Sequence, residues 1–416
     1  MSRKALVLIH RGSPTTVRLV QLFREKGLEP VVFSSATADD GAGFHAMCAQ
    51  LDVEHAIARS VTPTAAEVFQ ELGGAAETCD LCFAVWEGQR PLMAEINHRL
   101  RARDMSPDVI QRAQDKHLVR GVLGKRGLSG ITSYRLNDPD LRARLAQRER
   151  HIVKPRRGAG SLLARVVSTW EEVESVATSF RQGPRAGDLY EEFYIQNELI
   201  AETFFAGREI SLEMVRQGGR TLFVCEHEKT SLEFTASTVL ERELASPAVG
   251  LSEADILAGV GLANRALDVL DLDEGCYHVE LRMNDHGAWE IVEVNPRIGG
   301  GLIFDSVLQQ FGRSMLNDWI DLLTGKALPV SDSSRRRCGT YSQLAYAEPG
   351  RIVTRLRKDE SFPAPEIFIQ AIVPGTAAQG DREDISAITL WLTPLGTHRE
   401  LVATMMKSSY VTFEYE

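Results

Sequence analysis

No run in the 416-residue sequence is apolar over a membrane-spanning length, and the apolar stretch within Met1–Gly12 is too short for a secretory signal. A soluble, cytoplasmic protein is therefore expected, with no membrane partner. Cysteine is sparse: of six residues only Cys79 and Cys82 lie close together. No second pair or histidine cluster accompanies them, and Leu81, Phe83 and Val85 make the run read as a strand, so core thiols are expected rather than a zinc or redox site. Positive charge is in deficit, with 47 Lys and Arg against 57 Asp and Glu for a net charge of −10. That balance excludes a nucleic-acid binder, whose affinity comes mainly from neutralising phosphates. Internal repeats and low-complexity tracts are also absent. What remains is an ordinary apolar fraction of 44% and enough chain for two or three cored domains.

The most informative stretch is His278–Gly301. It reads as two strands, Tyr277–Met283 and Trp289–Val294, joined by the polar turn Asn284-Asp285-His286-Gly287. Alternation puts His278, Glu280 and Arg282 on one face of the first strand, and Glu293 and Asn295 on one face of the second. Pairing across the turn gathers Glu280, Glu293 and Asn295 at one strand end. Three oxygen donors there suit Mg²⁺, which completes its shell with water and phosphate oxygens. Arg297 and the triplet Gly299–Gly301 follow, and the glycines allow a ligand close to backbone.

Elsewhere the rhythm is that of a parallel α/β layer. Lys4–His10 is a strand, Thr16–Lys26 an amphipathic helix stopped by Gly27, and Pro30–Ser34 another strand. Gly12-Ser13 lacks the spaced glycines of a dinucleotide fingerprint. Asp80–Val85 reads as a third strand, with Glu87 just past its carboxyl end, where ligands gather in open α/β sheets. Glu87 there is either a turn carboxylate or a substrate group. Ser106–Arg120 reads as one helix carrying Asp115-Lys116. The strand His151–Pro155 delivers Lys154 to the turn Arg156–Ser161, where Gly158, Gly160 and Ser161 expose backbone N–H groups suited to polyphosphate. Leu199–Lys229 reads as an antiparallel meander of three strands. Leu251–Leu270 is a helix capped by Ser252, and Asp305–Leu323 a further helix. Pro329–Arg337 reads as a linker, and the strand-rich remainder as a small α+β cap.

The element Glu280…Glu293-Val294-Asn295-Pro296-Arg297 resembles the metal-binding signature of the ATP-grasp superfamily. The resemblance covers roughly residues 80–325 and implies an ATP-grasp fold: an N-terminal parallel α/β domain (1–110), an ATP-grasp region (111–330) with an α+β lid near 120–200, and a C-terminal cap (331–416). It implies ATP as the nucleotide, and two Mg²⁺ (with Mn²⁺ as the alternative ion) on Glu280, Glu293 and Asn295. Lys116 and Lys154 would hold phosphates beneath the glycine-rich loop, and Glu202, Phe204 and Phe205 the adenine. Glu209 would take the ribose, with Glu191 and Glu198 as a competing register of the same spacing. Trp86-Glu87, Asp115-Lys116 and Asn295–Gly300 further resemble the L-amino-acid ligases.

That likeness implies a carboxylate–amine ligase working through an acyl phosphate, with Glu87, Arg297 and Gly300 at the substrate and Arg297 and Lys154 in catalysis. Small molecules are the implied partners, with a homodimer left open. Thr389–Ser409 departs from the glycine-rich ending of those ligases, which leaves the acceptor undefined. A bicarbonate-using carboxylase or carbamoyl-transfer enzyme and a non-catalytic ATP-binding module are the alternatives. The sequence carries no Met-Lys-Met biotinyl signal, and a mere binder has no need of three metal ligands.

Overall fold

The structure, a computed structural model, describes residues 3–37, 41–184, 188–330, 335–380 and 382–416. Four parallel strands, β1 (Arg3–Ile9), β2 (Leu28–Ser34), β3 (Glu54–Ile57) and β4 (Leu81–Phe83), form the first sheet in the order β3-β2-β1-β4. The inner strands read as unbroken apolar runs because helices cover both faces: Ala5 through Ile9 and Val31 through Phe33 are all buried. Gly27, at φ +72°, turns the chain from the helix Thr15–Glu25 into β2, a conformation that favours glycine. The strand β3 was not legible, since Glu-His-Ala-Ile carries no strong pattern, and it makes β4 the fourth strand rather than the third.

A second sheet holds β5 (Ser133–Arg135), β6 (His151–Pro155), β7 (Arg165–Val167) and β8 (Leu199–Thr203) in the order β5-β8-β6-β7. The helices Pro139–Ala146 and Trp170–Gln182 cover it over a core that includes Leu141, Val153, Val173 and Ala201. The third sheet is antiparallel and contains β9 (Arg208–Gln217), β10 (Arg220–Phe234), β11 (Val239–Ser246), β12 (Gly275–Met283) and β13 (Trp289–Asn295). The chain's last third adds β14 (Gly339–Ala345), β15 (Val353–Lys358), β16 (Ile367–Gln370), β17 (Ala387–Thr393) and β18 (Val411–Tyr415). Among these, β14, β17 and β16 extend the third sheet to eight strands, ordered β13-β12-β9-β10-β11-β14-β17-β16, while β15 and β18 pair separately.

Four expectations change. The run Leu199–Lys229 is not one meander: β8 joins the second sheet and β9 and β10 the third, so Phe204–Gly207 crosses between sheets. Ser106–Arg120 is two helices, Pro107–Ala113 and Lys116–Lys125, because the Asp115 side chain caps the second by accepting from Leu118 N at 3.0 Å. Asp305–Leu323 likewise splits into Ile303–Phe311 and Met315–Leu323 at Gly312, φ +66°. The C-terminal strands do not stand apart as a cap, because β14 pairs β11 and continues the central sheet. Residues 331–334 of the expected linker lie outside the described residues.

One core joins the first layer to the central sheet, with Phe83 edge-on to Trp319 and Phe33, Val215, Phe223 and Ile298 in the same cluster. Arg90 pins the two layers: it forks onto Asp104 at 2.6 and 3.0 Å and donates from Nε to Pro296 O at 3.1 Å. That contact fixes the loop after β13. Cys79 and Cys82 are buried free thiols, and burial raises both. Among the described residues no helix is long and apolar enough to cross a membrane.

Candidate active site

Three sheets and the C-terminal strands enclose a cavity of about 580 Å³. Its floor is set by strand register. Glu280 on β12 pairs with Glu293 on β13 and Ser211 on β9, and His278 pairs with Asn295 and Glu213. Arg282 lies opposite Glu209, which lies opposite Lys229 on β10. Side chains of period two therefore reach the cavity in rows across three or four strands.

Like charges directly opposite each other destabilise a sheet, so Glu280 and Glu293 need cations. Lys229 Nζ lies 3.2 Å from Glu280 and 2.6 Å from Glu209, and also pairs with Glu241. Lys116 Nζ is 3.2 Å from Glu293 and donates to Gly158 O at 2.9 Å. Burial alone would raise Glu280, but Lys229 and then His278 outweigh it and hold its carboxyl well below the usual range. Burial likewise opposes charge on His278, yet Glu213 at 2.5 Å prevails and lifts the imidazole to about 10. Glu213 also accepts from Gly299 N at 2.9 Å, which ties the glycine triplet to the sheet.

Among the described residues no three His, Cys, Asp or Glu groups are arranged to hold a metal ion by themselves. Two carboxylates beside an asparagine amide are nevertheless a hard-oxygen set that fits Mg²⁺, with water and phosphate oxygens as the remaining ligands.

Lys116, Lys154, Gly158, Gly160, Ser161, Glu209, Glu280, Glu293, Asn295, Arg297, Gly300 and Glu87 all line the one cavity, whereas Glu202, Phe204 and Phe205 do not. Glu202 lies beneath it, 2.9 Å from Lys154 Nζ and 3.2 Å from Arg120. Burial works against its charge, but Arg120 and Lys154 bring it down to about 2. Phe204 is held under the guanidinium of Arg150 and edge-on to Phe234, and Phe205 O accepts from Arg282 at 3.0 Å. In the competing register, Glu191 pairs with Arg11 and Glu198 with Arg156, and neither lines the cavity.

Glu87 and Arg297, 210 residues apart, form an ion pair with each other, so the two groups expected at opposite ends of a substrate are closed together. Gln114 Nε2 holds Glu87 from behind, at 2.7 Å from Oε1 and 2.6 Å from the carbonyl. Beside them Trp86 stacks on His10 with ring centroids 4.5 Å apart and meets Tyr190 edge-on. The Trp86 indole N–H donates to Glu192, and burial raises that carboxyl to about 7.

An acid raised on folding favours the folded state when protonated, so its contribution is lost as pH climbs from about 4.5 to about 7. Glu192→Gln, which keeps an acceptor for Trp86, is therefore expected to melt above the native protein at pH 8 and to match it near pH 4. Equal melting temperatures for the two proteins at pH 8 would refute this.

Lys229, Glu213, Glu241, Tyr190, Glu192 and Glu383 belong to this region but were not singled out as site residues from the sequence. Only Lys229 had a signal, its place at the end of the expected meander Leu199–Lys229.

Residues 148–305 match the family model described as the ATP-grasp domain. Over 190 residues the chain is 25% identical to carnosine synthase 1 of Homo sapiens, covering 43% of this chain and 22% of that protein. Over 246 residues it is 22% identical to alanine–anticapsin ligase of Bacillus amyloliquefaciens, covering 56% of this chain and 51% of the relative. The chain thus spans about a fifth to a half of the length of these curated relatives. Its fold is that of an L-amino acid ligase structure from Bacillus licheniformis, with TM-score 0.72, 16% identity and all of both chains covered.

Proposed function

We propose that this chain, whose residues 148–305 form an ATP-grasp domain, is an ATP-dependent ligase that joins the carboxylate of one amino acid to the amine of another. The observation that carries the reading is a single cavity in which the Glu280–Glu293–Asn295 floor, three lysines and the Glu87–Arg297 pair meet. The named activities of the similar amino-acid ligases agree with it.

In this reading Lys116 and Lys154 exchange their carboxylate partners for ATP phosphates, and backbone N–H groups of Gly158–Ser161 close over them. Mg²⁺ bound to Glu280, Glu293 and Asn295 would supply the charge that offsets the β- and γ-phosphates. Arg297 presents a planar fork to the donor carboxylate, orienting it for in-line attack on the γ-phosphorus. The resulting acyl phosphate loses inorganic phosphate when the acceptor amine attacks its carbonyl carbon. Water must be kept out meanwhile, and Trp86, Tyr190 and the glycine-rich loop, which line the cavity, would supply the cover. A matrix of amino-acid pairs, scored by phosphate release and product mass, tests the reading. Amino-acid-dependent phosphate release with a product of dipeptide mass is expected, and no turnover with any pair would overturn it.

The ribose assignment is tested separately. Glu209→Ala should raise the KM for ATP by roughly tenfold or more, since it removes a charged hydrogen-bonding partner from the cavity wall. Glu198→Ala, outside the cavity, should leave that KM within about twofold. The opposite ranking would return the nucleotide to the earlier register.

A further inference from the structure

Every other carboxylate named in the cavity wall has a cation. Glu87 has Arg297, Glu293 has Lys116, Glu209 has Lys229 and Arg282, and Glu241 and Glu280 share Lys229. Glu383 lines the same cavity, yet among the described residues it makes no ion pair. Its Oε1 accepts only from Glu241 N, at 2.9 Å, and its own N–H donates to Gly160 O at 3.0 Å. The position is built rather than incidental. Its neighbour Arg382 forms a buried ion pair with Asp188 at 2.6 Å, which anchors this segment to the lid. Beside Glu383 the cavity wall is aliphatic, formed by Leu244, Leu344, Ile385 and Ile388 from β11, β14, the segment before β17, and β17 itself.

A cavity carboxylate with no ion-pair partner among the described residues, next to an aliphatic wall, is complementary to a ligand that carries an ammonium beside an apolar side chain. Tyr190 and the Glu87–Arg297 pair line the same cavity as Glu383. We infer that Glu383 binds the amino group of the acceptor, and that the acceptor is an α-amino acid with an aliphatic side chain seated on Leu244, Leu344, Ile385 and Ile388. The inference rests on the ligase reading and assigns its second substrate. Burial and then the nearby Glu241 raise the Glu383 carboxyl well above its ordinary range, against the opposing charge of Lys229. An incoming ammonium reverses that effect, which favours a cationic ligand over a neutral one.

Hydroxylamine separates this role from a structural one, because it is a small, uncharged nucleophile at neutral pH that traps an acyl phosphate as a hydroxamate. With the full chain, ATP, Mg²⁺ and the best donor, the native protein should form both hydroxamate and, with leucine or valine, the amide. Glu383→Ala should raise the KM for the aliphatic acceptor by roughly ten- to a hundredfold and leave hydroxamate formation within about twofold. Glu383→Gln should fall between the two. Leu344→Asn should lower the preference for leucine over alanine as acceptor.

A parallel loss of hydroxamate and amide would reduce Glu383 to a structural residue and overturn the assignment. So would an unchanged acceptor KM, or a rise confined to the KM for ATP. Absence of hydroxamate from the native protein with every amino acid would instead overturn the ligase reading, and the assignment with it.

Discussion

Replacing Glu293 by Gln is expected to abolish ATP turnover, by roughly a thousandfold or more, while the protein still folds. The size follows from what the residue supplies. Charge neutralisation on transferring phosphates is worth several kcal/mol, and each ~1.4 kcal/mol of lost transition-state stabilisation is a factor of ten. Gln keeps the shape and one oxygen but removes the negative charge opposite Glu280 in the sheet. Stability should change little, since Glu293's ion pair with Lys116 is only partly buried, and such pairs contribute about 1 kcal/mol or less. Removing a like charge from a directly paired position also works in the variant's favour. Two measurements are needed: phosphate release, and the rise in melting temperature that ADP with Mg²⁺ gives the native protein. Both should be lost in the variant, while the melting temperature without ligand stays close to native. Near-native phosphate release from folded Glu293→Gln would remove the metal assignment.

The second large effect is expected at Glu87. Its carboxylate is pinned by Gln114 and closed onto Arg297; in the proposed reading the pair is a receptor for ammonium and carboxylate, its own groups standing in for the substrate's. An α-amino acid offers both complementary charges and can replace the internal pair with two external ones. Glu87→Ala leaves Arg297 without its carboxylate and the substrate ammonium without a partner. Losing one member of a desolvated charge pair costs about 2–5 kcal/mol, or roughly thirty- to several-thousand-fold in affinity. The KM for the donor amino acid should rise by a factor in that range, with nucleotide binding retained. A donor lacking the α-amino group should gain relative to the amino acid, because only the ammonium contact has gone. Glu87→Gln, which keeps one acceptor oxygen, should be milder. An unchanged KM for both amino acids in Glu87→Ala would show a turn carboxylate and no more.

Much of this protein's organisation depends on short-range order, which a sequence carries directly. The hairpin 275–295 is such a case. The polar turn and the two alternating strands are legible there, while an extra residue, Val292, between the pairs Leu281–Ile291 and Glu280–Glu293 shifts the register and sets Glu280 opposite Glu293. The strand His151–Pro155 with its glycine-rich turn, and the capped helix Glu253–Val269, were legible for the same reason. The element breaks were harder. Asp115 reads as a mid-helix residue until its side chain is seen to cap the next helix, and Gly312 until its φ is known.

Long-range packing sets which distant pieces share a wall. The strands β8 and β9 look alike in sequence, yet the chain crosses between two sheets at Phe204–Gly207, a choice made by packing rather than by local pattern. Glu87 meets Arg297 where Arg90 and a shared core bind the first layer to the loop after β13. Lys229 gathers three carboxylates from three other strands, and Glu383 arrives from a segment that the sequence placed in a separate cap. Each of these contacts joins residues whose neighbours in sequence say nothing about the partner. Short-range pattern is enough to find the acidic hairpin and the glycine-rich turn that follows Lys154, because neighbours in the chain form them. The aliphatic wall beside Glu383 depends on the eight-stranded sheet, which brings β11, β14 and β17 side by side and so gives the cavity its far side.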